Sequence, residues 1–345
     1  MRRLLSASSV APACALLLVA ATLAALCLGR YPLSPPTVFA AIGHGLGMGS
    51  VPSDRTADVI VFTSRLPRII AAILIGAALS LGGASYQSVF RNPLVSPSLL
   101  GVLAGAGLGL AVSIVLSLPT PMRLLLTFAG GAAAVGVGVG VARMFGSDNR
   151  GVGDPGILLL VFGGLVSTAL FTALLSIMKV VADPTNQLPD IVFWLLGSLA
   201  TVQPATLWVI APLLAAGCAA LFFLARYLDV LVLSDDEARS LGAPAGALRM
   251  AVIAAATFTS ALTVALAGTI GWVGLIVPHI ARLMVGPTHR RLMPVCACVG
   301  ATFMLIADTL ARSLTPSEIP LGVICDLVGV VLFLLVLPRI RKGWV

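Results

Sequence analysis

Among the runs of this 345-residue chain that carry no formally charged side chain, four serve to show lengths that match or exceed the ~20 residues needed to cross a bilayer core. They run for 22 residues between Arg68 and Arg91, 24 between Asp154 and Lys179, 35 between Asp190 and Arg226, and 32 between Arg249 and Arg282. In hydrocarbon, backbone polar groups must be satisfied within the segment or within a closed barrel, so the choice is between helices and a barrel. A barrel would alternate polar and apolar positions, whereas segments 69–79 and 327–337 are apolar on every face. The sequence therefore predicts an all-α polytopic membrane protein.

Only 10% of residues are charged, against roughly 25% in soluble domains, which excludes an ordinary cytosolic enzyme. The net charge of +8 does not point to nucleic acid, because the basic residues sit at the ends of apolar runs without interleaved aromatics. Charges, prolines and glycines predict ten spans near 11–29, 66–89, 97–117, 122–143, 156–179, 204–226, 247–268, 272–286, 291–312 and 320–338, in a single domain over 1–345. Met1-Arg2-Arg3 before the apolar run 13–29 resembles a signal peptide, but with so many spans following it reads as an uncleaved first span. The neutral run 250–281 is too long for one helix and too short for two, so Gly268, Gly271 and Gly274 are expected to mark a turn into a short helix.

With the amino terminus inside, 14 of the 21 Lys and Arg fall on the inner side and 7 on the outer side. That bias predicts both termini in the cytoplasm. Small residues four apart, Gly101/Gly105/Gly109, Gly136/Gly140 and Gly76/Ser80/Ala84, read as helix-packing ladders. The six cysteines lie inside apolar runs and read as packing residues.

Chemistry is scarce. The two lysines, Lys179 and Lys342, lie in no Gly-x-x-x-x-Gly-Lys loop, and no histidine has a ligand partner at i+3 or i+4. No metal site and no catalytic residue is expected. Asp308, four residues before Arg312, reads as an i,i+4 pair; Asp326 has no partner in sequence and is a candidate for the pathway. An ion-coupled secondary transporter using Asp326 and Asp308 is the alternative function to weigh. In the polar segment 229–249, Ser234-Asp235-Asp236-Glu237 has the form of a capping box, predicting a short helix that stops at Gly242 ahead of Pro244.

Six segments then carry a resemblance: Arg65-Leu66-Pro67-Arg68; Arg91-Asn92-Pro93-Leu94 with Pro97-Ser98-Leu99-Leu100-Gly101-Val102; Phe193-Trp194-Leu195-Leu196-Gly197-Ser198-Leu199; Ala238-Arg239-Ser240-Leu241-Gly242; Gly271-Trp272-Val273-Gly274-Leu275-Ile276-Val277-Pro278-His279-Ile280-Ala281-Arg282; and Ala307-Asp308-Thr309-Leu310-Ala311-Arg312 with Glu318-Ile319-Pro320-Leu321-Gly322. In this order they resemble the permease subunits of type II ABC importers (FecCD- and BtuC-like), which take up iron–siderophore complexes, haem or cobalamin across the bacterial inner membrane.

The resemblance implies ten spans and a homodimer or pseudo-dimer with the pathway at its interface. It also implies two cytoplasmic ABC ATPase subunits, which bind the ATP and Mg that this chain does not, and a periplasmic substrate-binding protein. It assigns ATPase coupling to Asp236, Glu237, Ala238, Arg239, Leu241 and Gly242, and a cytoplasmic gate to Asn92, Pro93 and Leu94. Binding-protein docking falls to Arg65, Arg68 and Arg312 as exposed rim charges of the outer side, whose first loop spans about 30–63. The segment 271–282 is assigned to packing and transmission by the short eighth span. The last span departs from the family's small-residue and proline pattern at Cys325-Asp326 and Gly329-Val330-Val331, which keeps Asp326 as a feature particular to this chain.

Overall fold

A computed structural model describes residues 7–47, 55–145 and 156–341; Arg2, Arg3, Arg150 and Lys342 of the charge argument lie outside them. The described residues are helical with no strand: α1 (Ala7–Cys27), α2 (Pro35–Gly45), α3 (Arg55–Val59), α4 (Leu66–Val89), α5 (Val102–Val115), α6 (Thr120–Met144), α7 (Ile157–Val181), α8 (Gln187–Leu195), α9 (Pro204–Leu231), α10 (Asp235–Ser240), α11 (Ala245–Ala267), α12 (Val273–Val285), α13 (His289–Ser313) and α14 (Leu321–Arg341). Seven helical segments are long and apolar enough to cross a membrane, and α5, α12 and α14 are shorter apolar helices. Together these account for the ten predicted spans.

The second span is longer than the sequence suggested. The span is expected near 66–89, but the helix begins at Arg55 and passes through a π turn at Ile60–Arg65, where Leu66 N–H reaches back to Val61 C=O. The wider turn accommodates a proline, which has no N–H to give and crowds the preceding carbonyl. The third span is shorter than predicted. Pro97–Leu100 forms a 3-10 turn, and Gly101 takes a left-handed conformation (φ 84°) before α5 starts. Gly101 is thus a joint, while Gly105 and Gly109 pack α5 onto the backbone of α6. The other ladders divide as well. Gly76 and Ser80 meet α13, where Ser80 Oγ–H donates to Cys296 C=O at 2.9 Å, but Gly136 and Gly140 meet nothing within 4 Å in this chain.

Helix α4 is the centre of the bundle, with almost every residue from Ile69 to Val89 buried against α9, α11, α12 and α13. Its contact with α12 is backbone on backbone: a Cβ added to Gly83 would stand 1.8 Å from the Gly274 carbonyl oxygen. Gly83→Ala is therefore expected to destabilise the folded protein by about 1–3 kcal/mol. Gly136→Ala, in open space on a helix, is expected to be neutral or stabilising by up to about 1 kcal/mol. Thermal unfolding of the two purified variants checks the contrast, and equal midpoints would contradict it.

The break between α11 and α12 lies where the glycines predicted it. Gly268 (φ 75°) and Trp272 (φ 62°) turn the chain left-handed, while Gly274 serves the contact with Gly83. At 13 residues, α12 rises only about 20 Å. At this end of the bundle three helices are joined by main-chain bonds. Ser198 N–H donates to Ala267 C=O (2.8 Å), Leu321 N–H to Gly197 C=O (2.8 Å) and Gly322 N–H to Leu196 C=O (3.1 Å). Helix α8, which carries the Phe193-Trp194 segment, is thereby tied to the ends of α11 and α14.

Candidate gate and coupling site

At the opposite end, α10 follows α9 after three residues and is capped reciprocally. Ser234 N–H donates to Glu237 Oε2 at 2.8 Å, and Glu237 N–H donates to Ser234 Oγ at 3.3 Å. The Ser234 backbone and hydroxyl hydrogen bonds, with Arg91 adding its charge, hold the Glu237 carboxyl below the usual range. A depressed carboxyl supports its cap at neutral pH and withdraws that support only as pH falls through the lowered value. Ala238 is buried against α9 and α11, Gly242 ends the helix at φ 73°, and Leu241 and Asp236 are exposed. The Arg239 side chain lies outside the described residues. The predicted short helix is present, with one face on the bundle and one face open.

The 91–94 turn stands beside it. Arg91 is left-handed (φ 48°), Asn92 N–H donates to Gln87 C=O, and Asn92 Oδ1 accepts the Leu94 N–H at 2.9 Å. This leaves Leu94 56% exposed, an apolar side chain pushed off the end of α4 by a rigid turn. Arg91 Nε–H donates to the C=O of Leu231, the last residue of α9, at 3.0 Å, and its charge acts on Glu237. One arginine thus ties the proposed gate to the α9–α10 junction. The sequence reading missed this role, because Leu231 is 140 residues away from Arg91.

Behind the turn is a vestibule of about 890 Å³ lined by residues of α4, α9, α12 and α13. Arg282 Nη1–H donates to Gln87 Oε1. Asp229 Oδ1 accepts the backbone N–H of His289 (3.1 Å) and meets its Nδ1 (2.6 Å), while His289 Nε2 meets Ser88 Oγ (2.5 Å). The three side chains have the order of a Ser–His–Asp relay, but Ser88 is buried and its hydroxyl also reaches back to Ala84 C=O. The chain of bonds links α4, α9 and α13.

The three arginines expected as exposed rim charges are buried: Arg65 is 3%, Arg68 9% and Arg312 7% exposed. Arg65 donates to the carbonyls of Leu26 and Tyr31, and Arg312 Nη2–H donates to Ala25 C=O at 2.6 Å, which caps the end of α1. Arg68 Nε–H donates to Asp308 Oδ1 at 2.7 Å, and its Nη1 meets Glu318 Oε2 at 2.9 Å. Asp308 is also 3.7 Å from Arg312, the pair read from their spacing. These charges lie inside because each has a partner 34 to 287 residues away, and buried ions are tolerated when paired. Asp326 is exposed on α14 beside Gly271, at the same end of the bundle.

The FecCD transport family model matches residues 17–339. The chain belongs to this family of ABC importer permeases. It is 36% identical over 329 residues to the molybdate import system permease protein MolB of Haemophilus influenzae, covering 95% of both chains. The hemin transport system permease protein HmuU of Yersinia pestis is 36% identical over 279 residues, with 81% of this chain and 83% of that one covered. Among solved structures, an inward-facing ABC transporter of the metal-chelate type superposes with a TM-score of 0.84 at 33% identity, covering 96% and 99% of the two chains. The family relation sets the chain down as a multi-pass membrane protein and a transport subunit.

Proposed function

We propose that this chain is the pathway-forming subunit of an ATP-driven importer of a metal-bearing cargo in the bacterial inner membrane. In this reading it acts as a homodimer with both termini and α10 in the cytoplasm. Two ATPase subunits bind ATP and Mg and grip the 236–242 segment. A periplasmic binding protein docks at the end where Arg65, Arg68 and Arg312 lie, and its acidic groups compete with Glu318 for Arg68. Asn92, Pro93 and Leu94 close the cytoplasmic exit. The observation that carries the reading is the strut from Arg91 to the α9–α10 junction, because it gives a push on α10 a direct route to the gate.

Cargo is the finer part. An iron chelate, haem or cobalamin is the expectation from sequence resemblance, and a molybdate permease among the relatives widens it to a metal oxyanion. The ion-coupled alternative is weakened, because Asp308 is held between Arg68 and Arg312 and only Asp326 is open to ions.

The test is co-purification of the tagged chain with the products of its neighbouring genes, then ATP hydrolysis in nanodiscs with and without a loaded binding protein. An ATPase recovered in equal amount, with hydrolysis stimulated by the binding protein, is the expected result. A tagged chain that comes down without any ATPase although those neighbouring genes are expressed would sink the ATP-driven reading.

A further inference from the structure

The vestibule behind Leu94 is electropositive. Among the described residues Arg282 has one hydrogen-bond partner, the neutral amide oxygen of Gln87, and no carboxylate lies within 4.0 Å of its guanidinium. A guanidinium carries five donors, so most of its capacity is unspent. His279 lines the same cavity, 4% exposed and set on the Pro93 carbonyl, and its Nε2 is buried with no hydrogen-bond partner among the described residues. Asp229 is the one acid of the described lining, and its Oδ1 is already taken by the backbone and ring of His289. Helix α13 starts here with 25 residues, so its amino-terminal dipole adds positive potential, as do the exposed Arg290 and Arg291.

Unspent guanidinium donors and a helix amino terminus around one cavity suit an anion. At about 890 Å³ the cavity has room for a hydrated tetrahedral oxyanion or for the carboxylates of a larger chelate, which present the same chemistry. Water or an acidic proton of such a ligand would also give His279 Nε2 the partner it lacks.

We propose that the vestibule behind the Asn92–Leu94 turn is an anion-binding site, with Arg282 as its principal ligand, through which negatively charged cargo leaves the pathway. This rests on the importer reading above and narrows its cargo to oxyanions and anionic chelates. Asp326 does not oppose it. The carboxylate lies beside Gly271, 11 residues before Arg282 and so about 16 Å of helix rise away.

The experiment is calorimetric titration of sodium molybdate into the chain alone, at low salt, in nanodiscs of neutral phosphatidylcholine. The expected result is binding that weakens about tenfold or more in Arg282→Gln and in Gln87→Glu. The second variant keeps the side-chain shape and the contact to Arg282 but hands that arginine a carboxylate of its own, so it guards against a misfolded first variant. Binding is expected to be unchanged in Arg143→Gln, at the end of α6. No binding to the unmodified chain, or equal binding to Gln87→Glu, would overturn the site. Binding that disappears in nanodiscs containing phosphatidylglycerol would overturn it as an exit site and give it to lipid headgroup phosphate. No ATPase is present, so failure here is separate from failure of the co-purification test.

Discussion

Arg91→Gln is expected to leave the transporter assembled and its ATPase subunits bound, while the stimulation of hydrolysis by a loaded binding protein falls about 10- to 100-fold. The reason is local. Glutamine stays polar and keeps an N–H near the Nε position, but it ends two heavy atoms short of the guanidinium tip and loses the charge that faces Glu237 and strengthens the bond to the Leu231 carbonyl. In the proposed mechanism α10 then moves without pulling the 91–94 turn. Arg91→Lys restores charge without the planar guanidinium and is expected to recover only part of the effect. Measuring basal and stimulated hydrolysis beside cargo uptake in proteoliposomes separates coupling from assembly. Undiminished stimulation in Arg91→Gln would show that α10 reaches the gate by another route.

The second large effect is structural. Asp308→Ala removes the carboxylate shared by Arg68 and Arg312 and leaves two buried guanidinium groups with too little negative charge. Breaking such a buried pair costs on the order of 3–5 kcal/mol, so a marked drop in yield and in thermal midpoint is expected. Arg312 also caps α1 through Ala25, so the loosening should reach the first span. The double variant Asp308→Ala/Arg312→Ala removes one of the stranded charges, and its loss should be smaller than the sum of the single losses. Additive losses would mean that the two side chains act independently despite their 3.7 Å approach.

Most of the bundle can be read from the chain because a bilayer demands about 20 apolar residues per crossing, and charges and glycines mark the ends. The short α12 is legible for the same reason, since the neutral run 250–281 fits one full crossing and a fragment. The capping box of α10 is legible because it is local, three residues from donor to acceptor. What the sequence hides is long-range. Helices α2 and α8 are too short to stand out from apolar loops. The burial of Arg68 depends on Asp308, 240 residues later, and a charge beside a span reads as exposed until its partner is known. Arg282 was assigned only to packing and transmission, because that Gln87, and no acid, stands opposite it appears only in three dimensions.

The seam between α8, α11 and α14 has a consequence for how such a protein can change over time. Its three bonds, from Ser198, Leu321 and Gly322 to carbonyls of Ala267, Gly197 and Leu196, are all made by main-chain atoms. Peptide groups are the same whatever side chain they bear, so substitutions there do not delete the bonds unless they introduce proline or crowd the backbone. Gly197, Gly268 and Gly322 stand so close to neighbouring carbonyls that a Cβ would crowd the backbone, so these three positions are held to glycine, while side chains elsewhere on the three helix ends are free to diversify in register. A lineage can try new exposed side chains on α8 and α14 without first rebuilding the joint that holds them.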